Sequence, residues 1–198
     1  MNVLSMTSST AVQMADPATA AQELLAEFDD EYGLEEVPPS PVEEIAGSLL
    51  LLDVVDVDDI RAVDGAPHDA GRISGMLTTT DRTIWVDRLE SERSQGRRRF
   101  TVAHELGHWL LHAQRGDKKN FERFCRAPDL DPGADPGKQE REANAFAAEL
   151  LMPEEIISTI ARECGFNLGL LAAQFDVSVP ALELRLTKLK LLPTWMRT

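Results

Sequence analysis

The chain has almost no cysteine: Cys125 and Cys164 are its two thiols, and neither sits in a paired metal-binding motif. This excludes a disulfide-stapled scaffold and a multi-cysteine zinc site, and both thiols are expected to be reduced. Basic residues are scarce beside acidic ones, 20 Lys and Arg against 34 Asp and Glu, for a formal net charge of −14. Without a long basic tract to meet phosphates, the chain is not a general nucleic-acid binder. No apolar run reaches membrane-spanning length, and the first residues lack the basic start and apolar core of a secretory signal. A soluble, cytoplasmic protein with no membrane partner is therefore expected. Tyrosine is nearly missing too, and because Tyr32 lies far upstream, no oxyanion donor is assigned to it.

What is present suffices for one compact domain with a small appendage: 198 residues, 43% of them apolar. Residues from Met1 to about Thr19 are small and polar and read as a tail. Ala20 to Glu31 is predicted helical, with Leu24, Leu25 and Phe28 on one side. After the break Pro38-Pro39-Ser40-Pro41, Val42 to Leu51 reads as a second helix. Val54 to Val57 has strand character, and Ile73–Thr79 with Thr83–Asp87 flank a hairpin turn at Thr80-Asp81-Arg82. A helix is predicted from near Glu90 to His112, with Gly96 as its weak point. The breakers between Asp129 and Gly137 mark a loop. Helices then follow at Lys138–Leu151, Glu154–Cys164, Leu168–Phe175 and Val179–Leu189.

The most informative segment is Phe100-Thr101-Val102-Ala103-His104-Glu105-Leu106-Gly107-His108, which contains H-E-x-x-H. On a helix, His104 and His108 project from one face a turn apart and can bind a single zinc ion, leaving room for another protein ligand and a water. Glu105 can then take a proton from that water. The downstream helix offers two acids for the third ligand. Glu140 shares a small, apolar face with Ala143, Asn144, Ala147 and Leu151, and an acid on a packed face needs a compensating partner. Glu142 points the same way as Glu149, which reads as the solvent side. Glu140 is the favoured ligand and Glu142 the alternative, with Asn144 placed to support a ligand histidine.

Arg99 to His108, followed by Glu140-Arg141-Glu142-Ala143-Asn144-Ala145-Phe146-Ala147-Ala148-Glu149-Leu150-Leu151-Met152-Pro153, resembles the ImmA/IrrE family of bacterial zinc endopeptidases. The resemblance extends over roughly Pro41 to Leu192. It implies an α+β fold: a mostly helical, gluzincin-like zinc protease core with a small β-sheet and a C-terminal helix-turn-helix-like segment. The expected layout is an N-terminal extension over residues 1–40, a flexible tail and short helix that the resemblance leaves uncovered, then a metalloprotease core over 41–165 and the C-terminal segment over 166–198. It also implies one Zn2+ per chain held by His104, His108 and Glu140, with Glu105 catalytic. The implied substrate is a helix-turn-helix (XRE-type) repressor whose cleavage releases stress-response or mobile-element genes.

Other polar features have plainer readings. His112 extends the motif to H-E-x-x-H-x-x-x-H but is rotated about 80° from His104 at helical winding, so it reads as a support residue or a helix-end cation. His68 reads as a surface loop histidine. Arg97-Arg98-Arg99 reads as a solvated helix face pairing with acids. The segment Leu170–Leu186 resembles a helix-turn-helix, but its second helix opens Val179-Pro180-Ala181-Leu182-Glu183 where a base-reading helix opens with polar and basic residues. Direct DNA binding is therefore not expected. The competing reading is a regulator that binds DNA or a partner through this helix pair, with a structural or inactive metal site.

Overall fold

The computed structural model describes residues 16–34, 38–64, 66, 73–113, 122–126 and 137–193. Most of the N-terminal tail, the loop before Gly137 and His68 lie outside them. Helix α1 (Pro17–Tyr32) starts where Asp16 accepts from the Thr19 amide and ends at Gly33, whose positive φ of 75° suits glycine. Its buried residues Ala21, Leu24, Leu25 and Phe28 follow one helical face, as the spacing predicts. The second predicted helix begins as α2 (Val42–Glu44) and widens into a π-turn over Ile45–Leu49.

Strand β1 (Asp53–Val57), a 3-10 turn (Ile60–Ala62), β2 (Ile73–Thr78) and β3 (Thr83–Asp87) follow, and the predicted hairpin is antiparallel. Its turn ends at Arg82, with φ 53°. The Arg82 side chain donates to the Leu50 and Leu51 carbonyls, and its guanidinium lies 5.0 Å over the Trp109 ring. Further along come α3 (Arg88–Arg93), α4 (Gln95–His108), a π-turn (Trp109–Ala113), β4 (Glu122–Arg126), α5 (Gly137–Leu151), α6 (Glu154–Glu163), α7 (Leu168–Phe175) and α8 (Val179–Lys188). The fold is α+β and mostly helical. No helix among the described residues is long and apolar enough to cross a membrane.

The sheet runs β1-β3-β2-β4, with β1 parallel to β3 and the other neighbours antiparallel. Strand alternation sends Leu77, Ile84 and Val86 into the main core beneath the helices. Met76, Trp85 and Ile73 face the other way, into a small cluster closed by Ile60 and Ala66. Ile73 and Met76 share a face despite odd spacing because the β2–β4 pairing slips between Ile73 and Gly75, as a bulge does. Strand β4 was not predicted.

The expected continuous helix to His112 is interrupted twice. Ser94, in extended conformation, separates α3 from α4, and the winding loosens after His108. The first break thus falls two residues before the predicted weak point, and Gly96 is also a contact: a Cβ there would come within 3.1 Å of Asp176 O and Val177 Cα in the α7–α8 turn. Helix α4 is buried almost all round, between the sheet and α5, which is why its ionisable residues are costly and informative. Gly107 sets its approach to α5, since an added Cβ would meet Ala143 Cα and Phe146 Cδ1 at 3.1 Å. Alanine gains about 1 kcal/mol in helix propensity, against roughly 1–3 kcal/mol for overpacking. Because the obstacle includes backbone, Gly107→Ala is expected to be net destabilising by about 1 kcal/mol. Urea unfolding checks this; a net gain would mean α5 yields freely.

Candidate metal centre

His104 and His108, one turn apart on α4, both face the first turns of α5. Their Nε2 atoms lie 3.0 Å apart. Glu140 closes a triangle with them: one carboxylate oxygen is 3.3 Å from His104 Nε2, and the other is 3.2 Å from His108 Nε2. Among the described residues these three form the cluster whose donor atoms converge, all within 4.8 Å of one another. Both imidazoles are buried and Glu140 is half-buried. Glu140, rather than Glu142, stands beside the two histidines.

The outer ring nitrogens are engaged as well. Asn144 Oδ1 lies 3.1 Å from His104 Nδ1, the support predicted for it. His108 Nδ1 lies 3.1 Å from His112 Nδ1, and His112 Nε2 lies 3.1 Å from a Glu142 carboxylate oxygen. With a cation at the centre, the Nδ1–H of His104 goes to Asn144 and its Nε2 turns a lone pair inwards. Burial pushes His108 below the ordinary imidazole value, and its hydrogen bonding with Glu140 only partly opposes this. Burial would raise the Glu140 carboxyl, but hydrogen bonding by the two imidazoles outweighs it and holds the acid well below the usual carboxylate range. Neutral imidazole nitrogens and a carboxylate at these separations need positive charge among them. A proton bridges one pair, whereas a divalent ion can meet all three. The donor set, two imidazole nitrogens and one carboxylate, therefore fits a metal ion.

Glu105 is fully buried on the sheet side of α4. A Cβ on Gly75 would stand 3.3 Å from Glu105 Oε1 and only 2.3 Å from Thr101 Cγ2, so the bare backbone of β2 makes room for both side chains. Sequence reasoning missed Gly75. An isolated glycine within a strand pattern was the available signal.

Three expectations need correction. Glu149 does not face solvent: it is buried, bonds Gln22 of α1 and the Glu154 amide, and pairs with Arg185 of α8. Glu142 is only partly exposed and engages His112 and Lys138, and hydrogen bonding to His112 lowers its carboxyl below the ordinary value. Rotation along α5 alone could not reveal the other helices packed around it. The arginine run does pair with acids, but not as a solvated face. Arg98 bonds Glu43 and Asp56, while buried Arg99 donates to Ser40 O and lies 3.5 Å from the Asp176 carboxylate.

Comparison with known proteins places this geometry in context. The peptidase M78 model, described as the IrrE N-terminal-like domain, matches residues 67–187. The metallopeptidase ImmA of Bacillus subtilis (strain 168) is 27% identical over 128 residues, 63% of this chain and 69% of that protein. An uncharacterized immunity region protein 2 of Bacillus phage phi105 is 37% identical over 70 residues, 35% of this chain and 39% of that protein. A solved Mycobacterium tuberculosis transcriptional regulator shares the fold at 17% identity, with a TM-score of 0.56 over 87% of this chain and 46% of that one. The chain thus spans less than half of the phage and mycobacterial proteins. With the family match covering well over half its length, the chain belongs to the IrrE N-terminal-like, M78 family of metallopeptidases.

Proposed function

We propose that the chain is a zinc endopeptidase in which His104, His108 and Glu140 hold the ion and Glu105 is the general base. The observation that carries this reading is the convergence of three donor atoms, supplied by two buried histidines and one acid, from two helices. Two imidazoles and one carboxylate match the ligand type of catalytic zinc sites, which keep an open position. Bound zinc would supply Lewis acidity, lowering the pKa of a water towards ~7 and polarising the scissile carbonyl. Glu105 takes the proton of the attacking water and passes it to the leaving amine. Asn144 holds the His104 ring in orientation.

The substrate class is a helix-turn-helix repressor of the XRE type. Family membership supports it, as does similarity to a phage protein named for an immunity region. Direct DNA contact has little support: net charge is −14, and Arg185 of α8 is engaged with Glu149. The test is incubation of the zinc-loaded chain with the repressor encoded beside its gene, followed by mass analysis. A defined cut is expected. An intact repressor beside a loaded, folded chain would remove this substrate.

Zinc titration of single variants tests the ligand set. Glu140→Ala is expected to lose zinc binding almost entirely, while Glu142→Ala keeps it with reduced affinity. The reverse order would mean the acid facing the histidines is not the ligand.

A further inference from the structure

The side chains around the centre continue outwards in one line. His108 Nδ1 meets His112 Nδ1 at 3.1 Å, and His112 Nε2 meets Glu142 Oε2 at 3.1 Å. Lys138 Nζ stands 3.6 Å from the other Glu142 oxygen. His112 is buried and Glu142 partly so. His112 follows His108 at the same four-residue spacing at which His108 follows His104, so the two rings are neighbours on the helix surface. Their centroids lie 5.2 Å apart.

With a cation at the centre, proton placement follows from what each group can do. Ionised Glu142 only accepts, so His112 must present an N–H at Nε2. Neutral His112 then has a lone pair at Nδ1, which obliges His108 to donate from its own Nδ1. The opposite arrangement would set a His112 lone pair against the Glu142 carboxylate and place the His108 proton on the inner nitrogen. We propose that His112 and Glu142 are positioning residues for His108: they fix its Nδ1–H tautomer and aim its Nε2 lone pair at the space shared with His104 and Glu140. Asn144 does the same for His104 from the other side. The purpose of this relay rests on the zinc-centre reading above, though its hydrogen bonds do not. It gives a use to the third histidine of the extended motif and to the acid next in line after Glu140.

Two measurements on the full chain test it. The first reads the His108 Nδ1–H and its hydrogen bond by nitrogen–proton correlation in the zinc-loaded protein. A hydrogen-bonded His108 Nδ1–H, slow to exchange with water, is expected in the wild type and a fast-exchanging one in His112→Ala. In His112→Asn an amide oxygen takes the place of Nδ1 and should restore the wild-type signature. The second measures zinc affinity by competition with a chromophoric chelator. His112→Ala is expected to bind zinc ~10–100-fold more weakly, the usual cost of losing an outer partner, and His112→Asn to recover most of it. Glu142→Ala, a milder change at a partly exposed position, should move both readouts in the same direction, with Glu142→Gln recovering part. An unchanged exchange rate of the His108 Nδ1–H, or unchanged zinc affinity, in His112→Ala and Glu142→Ala overturns the proposal. Alanine variants of His104, His108 and Glu140 separate the two readings. If they hold zinc like the wild type, the zinc centre itself is wrong; if they lose it while the outer variants do not, the positioning role alone is wrong.

Discussion

Glu105→Gln is expected to cut repressor cleavage by ~10² to 10⁴-fold while zinc binding stays stoichiometric. The change is nearly isosteric, which matters because the side chain is fully buried and lies against Gly75, where a single methyl would already crowd it. Packing between α4 and β2 should survive, so the loss can be read as chemistry. The converging donors lie towards α5, whereas the Glu105 carboxylate lies towards β2, and an amide there removes none of them. What glutamine cannot do is accept a proton. The defect should therefore fall on kcat with little change in KM. Cleavage within tenfold of wild type by a zinc-loaded variant would exclude Glu105 as the base. Loss of zinc in this variant would instead assign the carboxylate to the ion.

Some of this site was legible because it is written within single helices. His104 and His108 are four residues apart, and that spacing fixes their common face wherever the helix lies. Glu140 required only one further step, that an acid among alanines on a packed face needs a partner. The parts that sequence did not reveal depend on what packs against what. Glu149 and Glu142 look alike along α5, yet one meets α1, α6 and α8 and the other meets His112. Gly96 has helix-breaking character locally and is a contact in the fold. Strand β4 is five residues, three of them charged, and forms because β2 has an edge to pair with. The C-terminal pair could be recognised as two helices with a tight turn, but Leu171, Phe175, Leu182 and Leu186 enter the same core as α4 and α5, which periodicity alone cannot say.

That attachment has a second expected consequence of large size. Arg185 donates to Met152 O at 3.1 Å and pairs with Glu149, and both side chains are almost wholly buried. Glu149 also accepts from Gln22 at 2.8 Å and from the Glu154 amide at 3.2 Å, so four helices meet at one carboxylate. Removing one member leaves the other charge buried, at a typical cost of about 3–5 kcal/mol. Arg185→Met should therefore lose a large part of the total stability in urea unfolding. Replacing both with apolar residues of similar volume, as in Glu149→Leu with Arg185→Met, should recover much of the loss, because no charge is then stranded. A single variant within about 0.5 kcal/mol of wild type would mean the pair is solvated in solution. The pair also decides how DNA contact by α8 can be tested. Neutralising Arg185 would unfold the helix pair and imitate a lost contact, so Lys188 and Lys190, both exposed, are the substitutions that separate binding from folding.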